Sequence, residues 1–92
     1  MLVPFFRYNM NNEKIPIGAI FRHYKGKKYR ILMVGHHSED LKPHVVYQGL
    51  YDCDSFGNCP IWIRPLEMFL EKVEVEGKQI SRFELIELAV EE

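Results

Sequence analysis

The chain has 92 residues, 47% of them hydrophobic, 13% aromatic and 27% charged, which is enough apolar material for one modest core and well away from the composition of disordered chains. Twelve Lys and Arg against thirteen Asp and Glu give a formal charge of −1, so no strong overall field draws it to nucleic acid or an anionic membrane. Along the chain the balance is uneven: residues 1–66 hold nine basic and five acidic side chains, residues 67–92 three and eight.

Residues 1–15 lack sustained periodicity and read as a flexible N-terminal arm, with a single domain expected over 16–92. Met1 to Arg7 is apolar, but its charge follows the apolar run and no small-residue cleavage site is present. That reads against a secretory signal and predicts a cytoplasmic protein with no membrane partner. Two cysteines, Cys53 and Cys59, are too few for a disulfide scaffold and are expected as free thiols.

From Ile17 to Tyr24 and again from Lys27 to Gly35 the chain is rich in branched and aromatic residues. Lys25-Gly26 between them supplies the glycine that a tight hairpin needs at positive φ. His36 to Pro43 is a polar loop ending on a residue that cannot donate to a ladder. Val45 to Tyr51 is a third strand, Asp52 to Pro60 a second loop, and Ile61 to Arg64 a short fourth strand. Pro65 suits the first position of a helical turn through Phe69, and a fifth strand follows from Leu70 to Val75. Ser81-Arg82-Phe83-Glu84 fits a capping box, and Phe83, Ile86 and Ala89 fall at helical spacing. The C-terminal segment therefore reads as a possible short helix, with a sixth short strand as the rival. The fold class expected is mainly β: a small five-stranded SH3-like barrel with one helical turn before the last strand, or else an oligonucleotide/oligosaccharide-binding barrel.

Strand parity puts Phe21 with His23, Val45 with Tyr47, Gly49 and Tyr51, and Trp62 with Arg64 on shared faces. If those faces converge, His23, Tyr47, Trp62 and Arg64 form a patch able to stack a planar ligand and pair an anion. The alternative is that Trp62 and the tyrosines fill the core while Arg64 pairs a carboxylate. The run Arg22 to Arg30 has five cations, no acid and two tyrosines, so Lys25, Lys27, Lys28 and Arg30 offer a second reading as an RNA or single-stranded DNA accessory surface. A third reading is a small hydrolase or lyase with His23 or His37 as base and Arg64 as anion clamp.

No cofactor or metal is expected. Cys53-x5-Cys59 is not the spacing of a zinc knuckle, and the calcium-loop likeness of Asp52 to Gly57 fails at Phe56 and at Ile63. His37-Ser38-Glu39 is consecutive, whereas catalytic triads are assembled from residues distant in sequence, so it reads as a local hydrogen-bonded loop.

Five blocks in order complete the sequence evidence: His23-Tyr24-Lys25-Gly26-Lys27-x-Tyr29, His37-Ser38-Glu39-x-Leu41, Val45-Val46-Tyr47-x-x-Leu50-Tyr51, Trp62-x-Arg64-Pro65-Leu66-x-Met68-Phe69, and Val73-x-Val75-x-Gly77 followed by Arg82-Phe83. Together they resemble a family of short bacterial proteins known only as a domain of unknown function. The resemblance implies a stand-alone cytosolic domain and no particular activity. It draws attention to His23, Tyr24, His37, Glu39, Tyr47, Trp62 and Arg64 as binding residues for a small molecule or protein segment. The chain departs from the family pattern in its N-terminal arm, its Asp52–Cys59 loop and its acidic end.

Overall fold

The computed structural model describes residues 15–89. Strands β1 (Ile20–His23) and β2 (Lys28–His36) form the expected hairpin. Its turn is closed by the Gly26 amide on the His23 carbonyl at 2.7 Å, with Gly26 at φ 113°. An L side chain seldom adopts that φ, which accounts for a glycine there. β3 (Pro43–Gly49) pairs with β2, and β6 (Ile61–Pro65) pairs with β3. Between β3 and β6 the turn-rich segment makes a small ribbon of β4 (Asp52–Cys53) and β5 (Gly57–Asn58).

After β6, Pro65 leads into the single turn α1 (Leu66–Phe69), as its fixed φ favours. A second ribbon follows, β7 (Lys72–Val75) with β8 (Lys78–Ser81), joined by Glu76 and Gly77 at φ 51° and 80°. Two consecutive positive φ values are what a two-residue hairpin turn of matching twist requires.

The C-terminal segment is a strand, β9 (Phe83–Glu87), and not a helix. It lies antiparallel to β1, with Phe83 opposite His23 and Leu85 opposite Phe21, and the Tyr24 amide donates to the Arg82 carbonyl just before it at 2.9 Å. Phe83 is buried and the rest of the strand exposed. Pairing with the free side of β1 satisfies this backbone, and a lone helical turn has no comparable partner.

The main sheet is antiparallel throughout, in the order β6-β3-β2-β1-β9. It is not closed into a barrel, which corrects the SH3-like expectation, and its fifth strand is β9 and not the Leu70–Val75 segment. It is strongly curled, however. Laid flat, its outer strands would stand about 19 Å apart, yet the Arg64 Cζ on β6 lies 5.6 Å from the centre of the Phe83 ring on β9. Phe69 from α1 stacks on Phe83 with ring centres 4.0 Å apart and planes 3° from parallel, so a pair of rings fills the seam where strand pairing would have closed a barrel.

The core under the curl comprises Ile15, Ala19, Phe21, Ile31, Val34, Val45, Tyr47, Phe69 and Phe83. A register shift between Ile31 and Met33 lets Ile31 and Val34 both reach it despite their odd spacing. Ile15, expected at the end of the arm, belongs to this core. Residues 1–14, where the rest of the expected arm falls, lie outside the described residues. On the outer face Met33, Val46 and Ile63 align across three strands, with Met33 and Ile63 exposed. Among the described residues no helix is long and apolar enough to cross a membrane.

Candidate functional site

Register brings the parity-sorted residues together. Tyr47 on β3 stands directly opposite Trp62 on β6, and Val45 opposite Arg64. On the neighbouring strands β1 and β9, His23 stands opposite Phe83, their rings 5.0 Å apart and nearly perpendicular. His23, Tyr29, Tyr47, Tyr51, Trp62, Arg64 and Phe83 line one hollow of about 210 Å³.

Its polar atoms form two short chains. The Trp62 indole Nε1–H donates to the Tyr51 hydroxyl at 3.0 Å, and that hydroxyl donates to Tyr29 at 3.2 Å. The Arg64 Nε–H donates to the Tyr47 hydroxyl at 3.1 Å. Among the described residues Arg64 has no carboxylate partner, and neither of its Nη groups makes a protein hydrogen bond. Among the described residues no carboxylate lines the hollow. Lys27 stands at its edge, with Nζ 4.6 Å from the centre of the Tyr51 ring.

Charge follows from this arrangement. Burial, and after it the positive charges of Arg64, Arg82 and Lys25, hold His23 below the ordinary imidazole value of 6.5. The neutral ring accepts the Lys25 amide at Nδ1, at 3.1 Å, which leaves Nε2 as the protonated nitrogen. Burial, then the hydrogen bond with Tyr51, raises the Tyr29 phenol well above its ordinary 10.0 against the opposing pull of Arg64, so it remains a hydroxyl at physiological pH. The hollow is therefore aromatic in its walls, rich in hydrogen-bond donors and positive in potential. Among the described residues that line it there is no serine or cysteine nucleophile and no carboxylate base.

Residues 19–85 match the family model described as a protein of unknown function, DUF1653. The chain belongs to the DUF1653 family. A crystal structure of a DUF1653 protein from Bordetella bronchiseptica is similar to it, with 28% sequence identity and a TM-score of 0.67 over 82% of this chain and 92% of that one. A search of curated proteins finds no match.

Of the residues singled out in this DUF1653 sequence, His23, Tyr47, Trp62 and Arg64 meet at the hollow, and the other three do not. Tyr24 packs against His23, ring centres 4.6 Å apart, and lines a neighbouring hollow with Arg22, Ile80, Ser81 and Glu84. His37 and Glu39 sit in the exposed loop between β2 and β3. There the Glu39 amide donates to His37 Nδ1 at 3.1 Å and Ser38 Oγ to Glu39 Oε2 at 3.4 Å, a locally closed loop apart from the hollow.

The basic run also divides. Lys27 reaches the Tyr51 ring, Lys25 lies 5.8 Å from the Tyr24 ring centre, and Arg30 is bound to the Gly18 carbonyl at 3.0 Å. Lys28 pairs in register with Arg22, whose guanidinium lies 3.7 Å from Glu84. Cys53 and Cys59 are free thiols. Among the described residues no three His, Cys, Asp or Glu side chains are placed to hold a metal.

Tyr29, Tyr51 and Phe83 line the hollow without having been singled out. Parity already set Tyr51 on the Tyr47 face. Tyr29 was hidden within a run read for its charge, and Phe83 within a segment read as a helix.

Proposed function

We propose that this DUF1653 protein is a small binding module whose ligand is planar and anionic or acceptor-rich, taken up at the hollow between β1, β3, β6 and β9. The observation that carries the reading is Arg64. A half-buried guanidinium without a carboxylate partner among the described residues, held at Nε by Tyr47 and set among aromatic rings, retains a free fork for an anion. An arginine kept only for stability would ordinarily have its charge paired at that depth. Aromatic faces supply the planar contact, and Arg64, Arg82 and Lys25 add positive charge around His23, whose basicity is lowered first by burial and then by those charges.

The hollow's volume of about 210 Å³ lies below the ~300–1,000 Å³ common for sites that enclose a drug-sized molecule. It accordingly takes one ring or head group, with the remainder of the ligand outside. Trp62 is the only tryptophan, so its emission reports on the hollow directly. Titrating the protein with benzoate and with neutral benzamide tests the reading. Saturable change with the anion, weaker change with the amide, and loss of both preference and affinity in Arg64→Gln are expected. Equal, non-saturating responses in wild type and variant would refute it.

A further inference from the structure

Strand β6 is an edge of the sheet, and hydrogen-bond parity shows which of its backbone groups are spare. The Gly49 amide donates to the Pro60 carbonyl, and the register then turns the backbone groups of Trp62 and Arg64 toward Tyr47 and Val45 of β3. The N–H and C=O of Ile61 and Ile63 therefore point to the other side, with which no strand pairs among the described residues. Their side chains are exposed on the outer face. Edges left to solvent are ordinarily blunted by charge. β9, at the opposite edge, has exposed Glu84 and Glu87, whereas the only charge from Ile61 to Pro65 is Arg64, whose guanidinium lies over the Phe83 ring. One short strand thus combines unused backbone groups, an apolar outer side and, on its inner side, a cation with no carboxylate among the described residues.

We propose that β6 takes up an extended acidic segment of a partner protein as an added antiparallel strand, with a carboxylate of that segment entering the hollow. The inference rests on the planar-anion reading above and names the anion as a Glu or Asp side chain. The residue opposite Arg64 belongs to a non-hydrogen-bonded pair, the closer of the two kinds, so an acid there stands beside the guanidinium on the inner face. Residues opposite Ile63 and Ile61 face outward and extend the apolar side, and the one opposite Trp62 returns to the inner face. Read antiparallel to β6, the matching segment is Glu-Val-x-Val. A second copy of this chain is the poorer occupant. Pairing about a twofold axis anywhere from Ile61 to Ile63 sets a residue between Asn58 and Trp62 opposite Arg64, and none of these is acidic.

Titration of the full chain with the peptide acetyl-Ser-Glu-Val-Ser-Val-Ser-amide and, separately, with benzoate tests the assignment, with Trp62 emission as the readout. Saturable binding of the peptide is expected, weakened about tenfold or more by glutamine in place of its glutamate, the worth of a hydrogen bond to a charged group. N-methylation of the first valine, whose amide meets the Ile63 carbonyl, abolishes binding. N-methylation of the serine between the two valines, whose amide points away from β6, does not. In Arg64→Gln the glutamate and glutamine peptides bind alike. Binding indifferent to the site of N-methylation, equal affinity of the two peptides for the unmodified chain, or a response to benzoate without one to the peptide overturns the proposal and leaves the planar-anion reading standing. A dimer in sedimentation velocity that Ile63→Pro dissociates, by removing an outward amide that β3 does not use, assigns the edge to a second copy and overturns it equally. No response to either peptide or benzoate overturns both.

Discussion

Gly49 is the position where the shape of the hollow is most exposed to a single methyl group. It lies buried in β3, its amide bonded to the Pro60 carbonyl at 2.7 Å. A Cβ there would meet the Tyr51 ring at 2.5 Å from Cε2, 2.7 Å from Cζ and 3.1 Å from the hydroxyl oxygen. Carbon atoms settle near 3.5–4.0 Å, so the ring must withdraw by about 1 Å. Tyr51 holds both the Trp62 indole and the Tyr29 hydroxyl, at 3.0 and 3.2 Å, and a shift of that size carries it beyond bonding range of one or both. Two lost hydrogen bonds at about 0.5–1.5 kcal/mol each and overpacking of about 1–3 kcal/mol are partly offset by about 0.4–1 kcal/mol from a stiffer unfolded chain. The net loss for Gly49→Ala centres near ~3 kcal/mol. Gly35→Ala on β2 is the control, since nothing lies within 4 Å of its added Cβ and its φ is ordinary; it should be neutral or stabilising by up to ~1 kcal/mol. Urea unfolding followed by far-ultraviolet circular dichroism gives the two stabilities, and Trp62 emission reports on the indole bond. A Gly49→Ala protein as stable as the Gly35→Ala control, with unaltered native emission, would show that Tyr51 does not hold the hollow in shape.

Phe83→Ala removes a ring that stacks on Phe69 and touches His23, Tyr29 and Tyr47, and should cost about 3–5 kcal/mol in the same urea assay; a loss under ~1 kcal/mol would mean that the seam is not held by these rings. Ile63 is 66% exposed on the outer face, so Ile63→Lys should change stability by no more than ~0.5 kcal/mol, and a large loss would show that this face is covered. His23 has a folded pKa below its unfolded 6.5, so between those two values the unfolded chain binds more protons than the folded one. Its contribution is therefore complete above about pH 6.5 and is lost as pH falls through the depressed folded value. Urea melts from about pH 7.5 to about pH 5 should show this decline, flattened in His23→Gln. An identical pH profile in that variant would exclude His23 as the group responsible.

Period-two patterning made the inner and outer faces of β1, β3 and β6 readable, because each of these strands presents one face to the core and a shift of one residue would turn Ile61 and Ile63 inward. The same reasoning brought His23, Tyr47, Trp62 and Arg64 toward one place. It says nothing about how the outer strands of a curled sheet face one another, and Phe83 enters the hollow only through that curl. The spacing of Phe83, Ile86 and Ala89 imitates a helix, but the unpaired side of β1 is a long-range partner that local periodicity does not contain. Family resemblance groups His37 and Glu39 with the hollow, and the hydrolase reading also names His37 as an alternative base beside Arg64. Their bonds to each other and to Ser38 are short-range, and neither residue lines the hollow.

The seam between β6 and β9 joins Arg64 and Phe69 to Phe83 through side chains, with no backbone ladder between the two strands. A ligand of the proposed kind, in contact with both lips, would therefore act as a clasp. At a concentration a hundredfold above its dissociation constant it adds about 2.7 kcal/mol to folding, comparable to the pairing an open sheet forgoes. β9 follows β6 in the chain and supplies one lip, so the clasp has nothing to grip until that strand has been synthesised.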